Sequence, residues 1–388
     1  MAKLRTVALL ILAALAACPK AKQAPEEIKL AADLSQTEIP HLDSIIKNRK
    51  VYPQTKVDLE PDQGVDPQTL LMGQNQPDLF ELDYKDRLRM RPFSQKLGEI
   101  INSDYDRSLF ATTFFQPGVI DSQYYYLPFR LRWLAFLYNA ERVPEPPADF
   151  PALAVLCADH PGGLGIAIED DGIILEFMMT LVWAFQGEEF DLDNANTKKA
   201  LYYLQGISSC VIPYSRNYNS ELLAAALAKG EIDFALAELK TAARLWENGS
   251  YPHPIMGRAF PVSGAVAFTG TYLAVNQSSQ KREAAYGIGF HIANPNTCAR
   301  IISDGLWLCA LPNLEEPTPR PARTELFKPY LLSPLRMKPV PASVDTVGLA
   351  SVYRQVFERI VFKSEKVEMV AADLNLSLKQ VESGLWGK

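Results

Sequence analysis

Arg130 and Arg132 carry the most evident chemistry in this chain. They stand one residue apart, next to Trp133, in the run Tyr124–Asn139, which reads Tyr-Tyr-Tyr-Leu-Pro-Phe-Arg-Leu-Arg-Trp-Leu-Ala-Phe-Leu-Tyr-Asn. A guanidinium is permanently charged, and its planar fork matches a carboxylate or phosphate. If the run is a strand, alternation puts both arginines on one face, where they could clamp an anionic group as a pair. The competing reading is a salt bridge to Asp83 or another nearby acid. Residue types alone do not separate the two.

Motifs for bond-making chemistry are poor by comparison. Ser44-Ile45-Ile46-Lys47 and Ser278-Ser279-Gln280-Lys281 both fit Ser-x-x-Lys, but no Lys-Thr-Gly follows either of them. Gly162-Gly163-Leu164-Gly165 lacks the spacing of a phosphate loop and reads as a turn. Asp191–Asn196 begins like a calcium loop, then has Ala195 at the fifth place and no glycine at the sixth, so a helix cap fits better. Asp159-His160 has no third ligand, no spacing resembles a zinc site, and the chain holds only four histidines. The expectation is a non-enzyme without cofactor or metal.

The element that must position the arginines is the aromatic run itself. Its branched and aromatic residues and its lack of a helical polar stripe predict a strand. Pro128 cannot donate to a central ladder, so the strand should bend or lie on an edge there. We expect it to cross from one lobe of a two-lobed molecule to the other at the floor of a cleft. Upstream, strands are expected at Ile28–Ala32, Tyr52–Leu59 and Pro77–Asp83, with helices at Thr37–Arg49 and Pro67–Gly73 between them. That alternation predicts a mainly parallel α/β sheet. Ligands sit beyond the carboxyl ends of such strands, which places Asp33, Asp83 and Tyr84 on a cleft rim.

Composition frames the rest. The 388 residues suggest two domains, 48% hydrophobic residues suffice for two cores, and a net charge of −6 argues against nucleic acid as partner. At the start, Lys3 and Arg5 precede the short apolar stretch Val7–Ala17, the layout of a secretory signal. Leu15-Ala16-Ala17-Cys18 resembles a bacterial lipobox, with Cys18 lipidated after removal of residues 1–17, and residues 18–25 form a tether. Export permits disulfides among Cys157, Cys210, Cys298 and Cys309, of which Cys298 and Cys309 are nearest in sequence, but spacing does not give connectivity.

Downstream, Asn219-Ser220 is expected to cap the helix Glu221–Lys229 with Gly230 just past its end, and Ser364 to cap a closing helix, Ser364–Leu376. Several segments then fall in a telling order: Pro77-Asp78 opening a strand, Tyr125–Pro128 before Tyr138-Asn139, Val143–Phe150, Ala228–Leu236, and Phe260–Gly270. In that order, behind a lipobox, they resemble the extracellular solute-binding proteins of ABC importers, family 1 (maltose-binding-protein-like). The resemblance covers roughly Glu26 to the C-terminus.

It implies a two-lobed, type II periplasmic-binding-protein fold, each lobe a mainly parallel sheet flanked by helices, hinged where the chain crosses. Residues 26–135 and 256–310 would form lobe 1, and residues 136–255 and 311–388 lobe 2 with the closing helices. It also implies a monomer that captures a small solute and hands it to membrane permease subunits. Residues after the strand at 232–236, namely Glu238, Lys240 and Thr241, would contact ligand. For a sugar, Tyr84, Trp133, Trp183, Tyr214 and Trp246 are candidates to offer flat faces, each with core or surface packing as its alternative role. Several sugar-binding relatives place an acid where this chain has Arg132, which raises an anionic sugar derivative as ligand. A second reading keeps the fold but assigns a sensor or scaffold role without transport.

Overall fold

The computed structural model describes residues 27–34, 38–49, 52–61, 66–99, 116–238, 255–262, 264–293, 337–341 and 345–384. Residues 1–26 lie outside them, and with them the expected signal, Cys18 and the tether. In chain order the elements are β1 (Glu27–Ala32), α1 (Glu38–Lys47), β2 (Lys56–Pro61), α2 (Pro67–Met72) and β3 (Leu79–Asp83). Then come β4 (Val119–Ile120), β5 (Gln123–Tyr124), β6 (Tyr126–Asn139), α3 (Phe150–Asp159), β7 (Leu164–Ile166) and α4 (Asp171–Ala184). They are followed by α5 (Ala195–Gly206), α6 (Ser220–Ala228), β8 (Phe234–Glu238), β9 (Ile255–Ala259) and β10 (Val266–Val275). Last are α7 (Arg282–Ala293), β11 (Met337–Pro339), α8 (Thr346–Phe357) and α9 (Val367–Glu382).

The strand β6 organises the molecule. Tyr126–Trp133 pairs antiparallel with β10, while Leu134–Asn139 pairs antiparallel with β8 on one side and β9 on the other. One continuous strand therefore belongs to two sheets and crosses between them at Trp133–Leu134. The first sheet runs β2-β1-β3-β10-β6, with β1, β2 and β3 mutually parallel. The second comprises β9, the far half of β6, β8 and β7, with β7 and β8 parallel. Among the described residues, Tyr126–Trp133 is laddered on one side only, so Pro128 lies in an edge stretch of the first sheet. The register also slips between Thr271 and Tyr272, opposite Pro128, as a β-bulge. Edge and bend both occur.

Two later passages also cross. The chain leaves β9 in the second sheet and enters β10 in the first within Phe260–Ala265, and it leaves β11, which pairs with β10, to form α8 against α4. These pairings correct the sequence-based boundaries. The first switch is at residue 134 rather than 136, Ile255–Ala259 belongs to the second sheet, and Met337–Pro339 belongs to the first. The resemblance implied the earlier boundaries, whereas ladder partners decide sheet membership.

The helix α4 is the centre of the second lobe. Its residues from Gly172 to Val182 are buried without interruption, as expected for a helix apolar on every side. Asp170 caps it, accepting from the N–H groups of Gly172 (3.0 Å) and Ile173 (3.4 Å). Of the expected pair, Asn219 caps α6 and Ser220 is its first helical residue, and Gly230 takes the left-handed conformation past its end (φ 73°). Ser364 does not cap the last helix. It has φ 53°, the helix begins at Val367, and Glu365 is drawn instead to Arg359 at 2.7 Å. A disulfide joins Cys157 at the end of α3 to Cys210 after α5; Cys298 and Cys309 lie outside the described residues.

Candidate functional site

The carboxyl ends of β3 and β8 and the start of α4 meet at the crossing in β6. Asp83 ends β3 and accepts from the Lys85 N–H at 3.0 Å, turning the chain into a helical turn. Glu238 ends β8, and Asp170 stands at the mouth of α4 shortly after β7. Between them lies a narrow cleft, partly open to solvent, lined by Asp83–Lys85 of the first lobe, Asp170–Gly172 and Leu175 of the second, and Arg132 and Thr269 from the crossing strands.

Arg132 is the hub. Its Nη1 lies 2.9 Å from Asp83 Oδ2, its Nε donates to Thr269 Oγ1 at 3.3 Å, and the same Nε is 4.0 Å from Glu238 Oε1. Its plane lies against Gly172, where an added Cβ would sit 2.8 Å from Nη2 and 3.3 Å from Cζ. The helix start is thus open to the guanidinium only because residue 172 has no side chain. Burial lowers the Arg132 pKa, but Asp83, Glu238, Asp170 and Glu176 outweigh it and hold the group well above the ordinary arginine value. A second set of ion pairs spans the lobes beside it. Asp171 takes Arg354 of α8 at 2.6 Å and faces Lys85 of the first lobe at 4.0 Å.

Behind the hub, Glu176 is fully buried in α4. Its Oε1 accepts from the Thr269 N–H (3.2 Å) and Thr269 Oγ1 (2.5 Å), while Oε2 has no partner among the described residues. Burial pushes its pKa from 4.5 up to about 8, against the pull of Arg132 and the Thr269 hydrogen bonds and with help from Asp170 and Glu238. The folded state therefore holds a proton that the unfolded chain has lost. Stability from this group is fully present below the unfolded value and is lost as pH rises towards about 8. We expect the melting-temperature gap between wild type and Glu176→Gln to change progressively from pH 5 to 8, against wild type, and then level off. A gap constant across that range would show that Glu176 ionises normally.

The sequence-based candidates divide clearly. Asp83, Arg132 and Glu238 come together. Tyr84 forms part of the wall but is buried; it donates to the Val340 carbonyl and carries the Arg87 guanidinium 4.0 Å above its ring, and burial raises its hydroxyl pKa to about 12. It offers no open stacking face. The paired clamp is corrected: Arg130 turns into the first lobe, where it donates to the Asp33 carbonyl (2.8 Å) and Glu81 (3.2 Å) and faces Glu38 at 3.7 Å. Asp33 enters this network through its backbone, donating its N–H to Glu81 at 3.0 Å.

Trp183 is corrected as well. It lies at the far end of α4, about 16 Å along the helix from Gly172, with its indole N–H on Glu189 (3.0 Å) and Lys338 over its ring. Tyr214 is 65% exposed on a helical turn and does not line the described cleft. The Trp133 side chain and all of Lys240, Thr241 and Trp246 lie outside the described residues. Sequence reasoning missed Asp170, Asp171, Gly172 and Glu176. The available signal was an Asp-Asp-Gly helix start followed by an apolar run holding one carboxylate.

No protein-family model matches the sequence, and no curated protein matches it. Solved structures do. The ABC substrate-binding protein Lmo0181 from Listeria monocytogenes, in complex with cycloalternan, superposes with TM-score 0.70 at 17% identity, covering 92% of this chain and 99% of that one. UgpB from Mycobacterium tuberculosis, in complex with glycerophosphocholine, gives TM-score 0.72 at 15% identity over 92% and 98%. Maltose-bound MalE3 from T. maritima gives 0.69 at 16% over 91% and 99%. This chain has the two-lobed α/β fold of these ABC substrate-binding proteins, with its Arg132 cleft at the crossing between the lobes.

Proposed function

We propose that the protein is the solute-capturing component of an ABC importer. It binds a small polyhydroxylated solute between its lobes and delivers it to a permease, and it catalyses no reaction. The observation that carries this reading is the convergence of Asp83 from one lobe, Glu238 and Asp170 from the other, and Arg132 from the strand that joins them. A solute held there touches both lobes and the crossing at once. It therefore favours the closed arrangement by whatever contacts exist only when the lobes meet. Carboxylate acceptors and guanidinium donors side by side suit hydroxyl groups, which both give and take hydrogen bonds. The bound molecules named for the neighbours, maltose, cycloalternan and glycerophosphocholine, all carry hydroxyl groups.

The start of the chain supports export and anchoring through Cys18; the intact mass of membrane-extracted protein tests this, an unmodified Cys18 counting against it. The central experiment is thermal denaturation of the purified chain with sugars, polyols and glycerophosphodiesters. A solute at about a hundred times its Kd stabilises by roughly 2.7 kcal/mol, which is several degrees for a protein of this size. If no compound of these classes raises the melting temperature at millimolar concentration, solute capture fails and a scaffold or sensor role replaces it.

A further inference from the structure

Arg132 stands where a solute of either charge could meet it, and three features of its surroundings bear on which kind the cleft admits. First, the guanidinium already faces two carboxylates, Asp83 at 2.9 Å from the first lobe and Glu238 at 4.0 Å from the second. Second, the start of α4, the other feature here that attracts anions, is served by its own cap: the N–H groups of Gly172 and Ile173 both point to Asp170 Oδ1. Third, Lys85, the other cation that lines the described cleft, faces Asp171, which also takes Arg354. Every cationic feature of the described cleft thus has a carboxylate of the chain against it.

We propose that Asp83 and Glu238 are specificity-determining residues that neutralise Arg132 and so exclude anionic solutes from the cleft. The proposal rests on the solute-capture reading. A phosphate or carboxylate approaching Arg132 must displace Asp83 or Glu238, and it then lies beside that carboxylate and Asp170 with the same sign of charge. A neutral hydroxyl shares the donors and acceptors without displacing either. Gly172 makes the arrangement rigid, because the guanidinium fills the space a Cβ would need and cannot swing towards the helix. Because the two carboxylates come from different lobes, the exclusion is complete only when the cleft is closed.

The test compares wild type, Asp83→Asn/Glu238→Gln, and the same double variant carrying Arg132→Gln, all as full chains. Inorganic phosphate is titrated against sodium chloride of equal ionic strength, with thermal shift and calorimetry as readouts. Wild type should show no stabilisation beyond the chloride control. The double variant should bind phosphate at least tenfold more tightly than wild type, and Arg132→Gln should abolish the gain. Should the double variant not fold, Glu238→Gln alone should show a smaller gain with the same dependence on Arg132. Arg132-dependent phosphate binding by wild type overturns the proposal, and so does a folded variant that gains none. Maltose and tagatose are run in parallel. Loss of all solute binding by wild type counts against the capture reading, while the phosphate arm decides the role of Asp83 and Glu238 by itself.

Discussion

Arg130→Met is expected to destabilise the protein by about 3–5 kcal/mol, the range for removing one partner of a buried ion pair. Arg130 and its two acids are almost wholly inside: side-chain exposure is 8% for Arg130, 6% for Glu38 and 4% for Glu81. Taking away the cation leaves two carboxylates of the first lobe without their shared counter-charge. It also removes the donor to the Asp33 carbonyl, one of the contacts that hold the chain just past β1. At roughly 2–4 °C per kcal/mol for a unit of this size, the melting temperature should fall by about 10 °C. Glu81→Gln in the Arg130→Met background should restore part of the loss, since one stranded charge is then gone. A drop of less than about 1 kcal/mol would mean that other groups balance both acids. Arg130 is thus expected to behave as a support of the first lobe, while Arg132, two residues on, shapes the cleft.

Reduction of the Cys157–Cys210 disulfide is expected to cost a comparable amount in the second lobe. The bridge spans 53 residues of sequence, and the loop-entropy argument for that length gives roughly 4 kcal/mol, with about 2–4 typical of measured cases. The enclosed segment contains α4, the helix on which Gly172 and Glu176 stand, so the effect should reach the cleft through the lobe's stability. Chemical denaturation with and without a thiol reductant, and of Cys157→Ala/Cys210→Ala, measures it. Equal midpoints in all three conditions would show that the bridge stabilises nothing. The pair forms because the turns after α3 and α5 meet beside β7, where the Leu164 N–H donates to the Cys210 carbonyl at 3.0 Å. Distance along the chain offered no guide to that meeting.

Much of the fold was legible because it depends on local pattern. Alternating strands and helices marked the parallel first sheet, and Asn219 and Gly230 marked the limits of α6, since caps and left-handed positions have few residue solutions. The closing helix was misplaced because Glu365 found Arg359, a contact that competes with capping and has no local signature. Of the proposed stacking aromatics, Tyr84 went into the wall and Trp183 to the far end of a buried helix. An aromatic side chain reads alike in a core and in a binding face, and only its neighbours tell them apart.

The sequence by itself determined that Tyr124–Asn139 contains a strand, that it should bend or lie on an edge at Pro128, and that Arg130 and Arg132 share a face. Those follow from backbone sterics, a missing N–H and a two-residue repeat. Only the tertiary structure decided that the two arginines have different work. Arg130 lies opposite Thr271, within the stretch of β10 that also pairs with β3, and its side chain reaches back diagonally across that stretch to Glu81. Arg132 lies opposite Thr269, beyond the end of β3 and one residue before Trp133, the last residue of β6 paired in the first sheet. Its side chain therefore leaves the first lobe and meets carboxylates from both. Ladder register over more than a hundred residues sets that difference, and such register is fixed by long-range packing that no local pattern records.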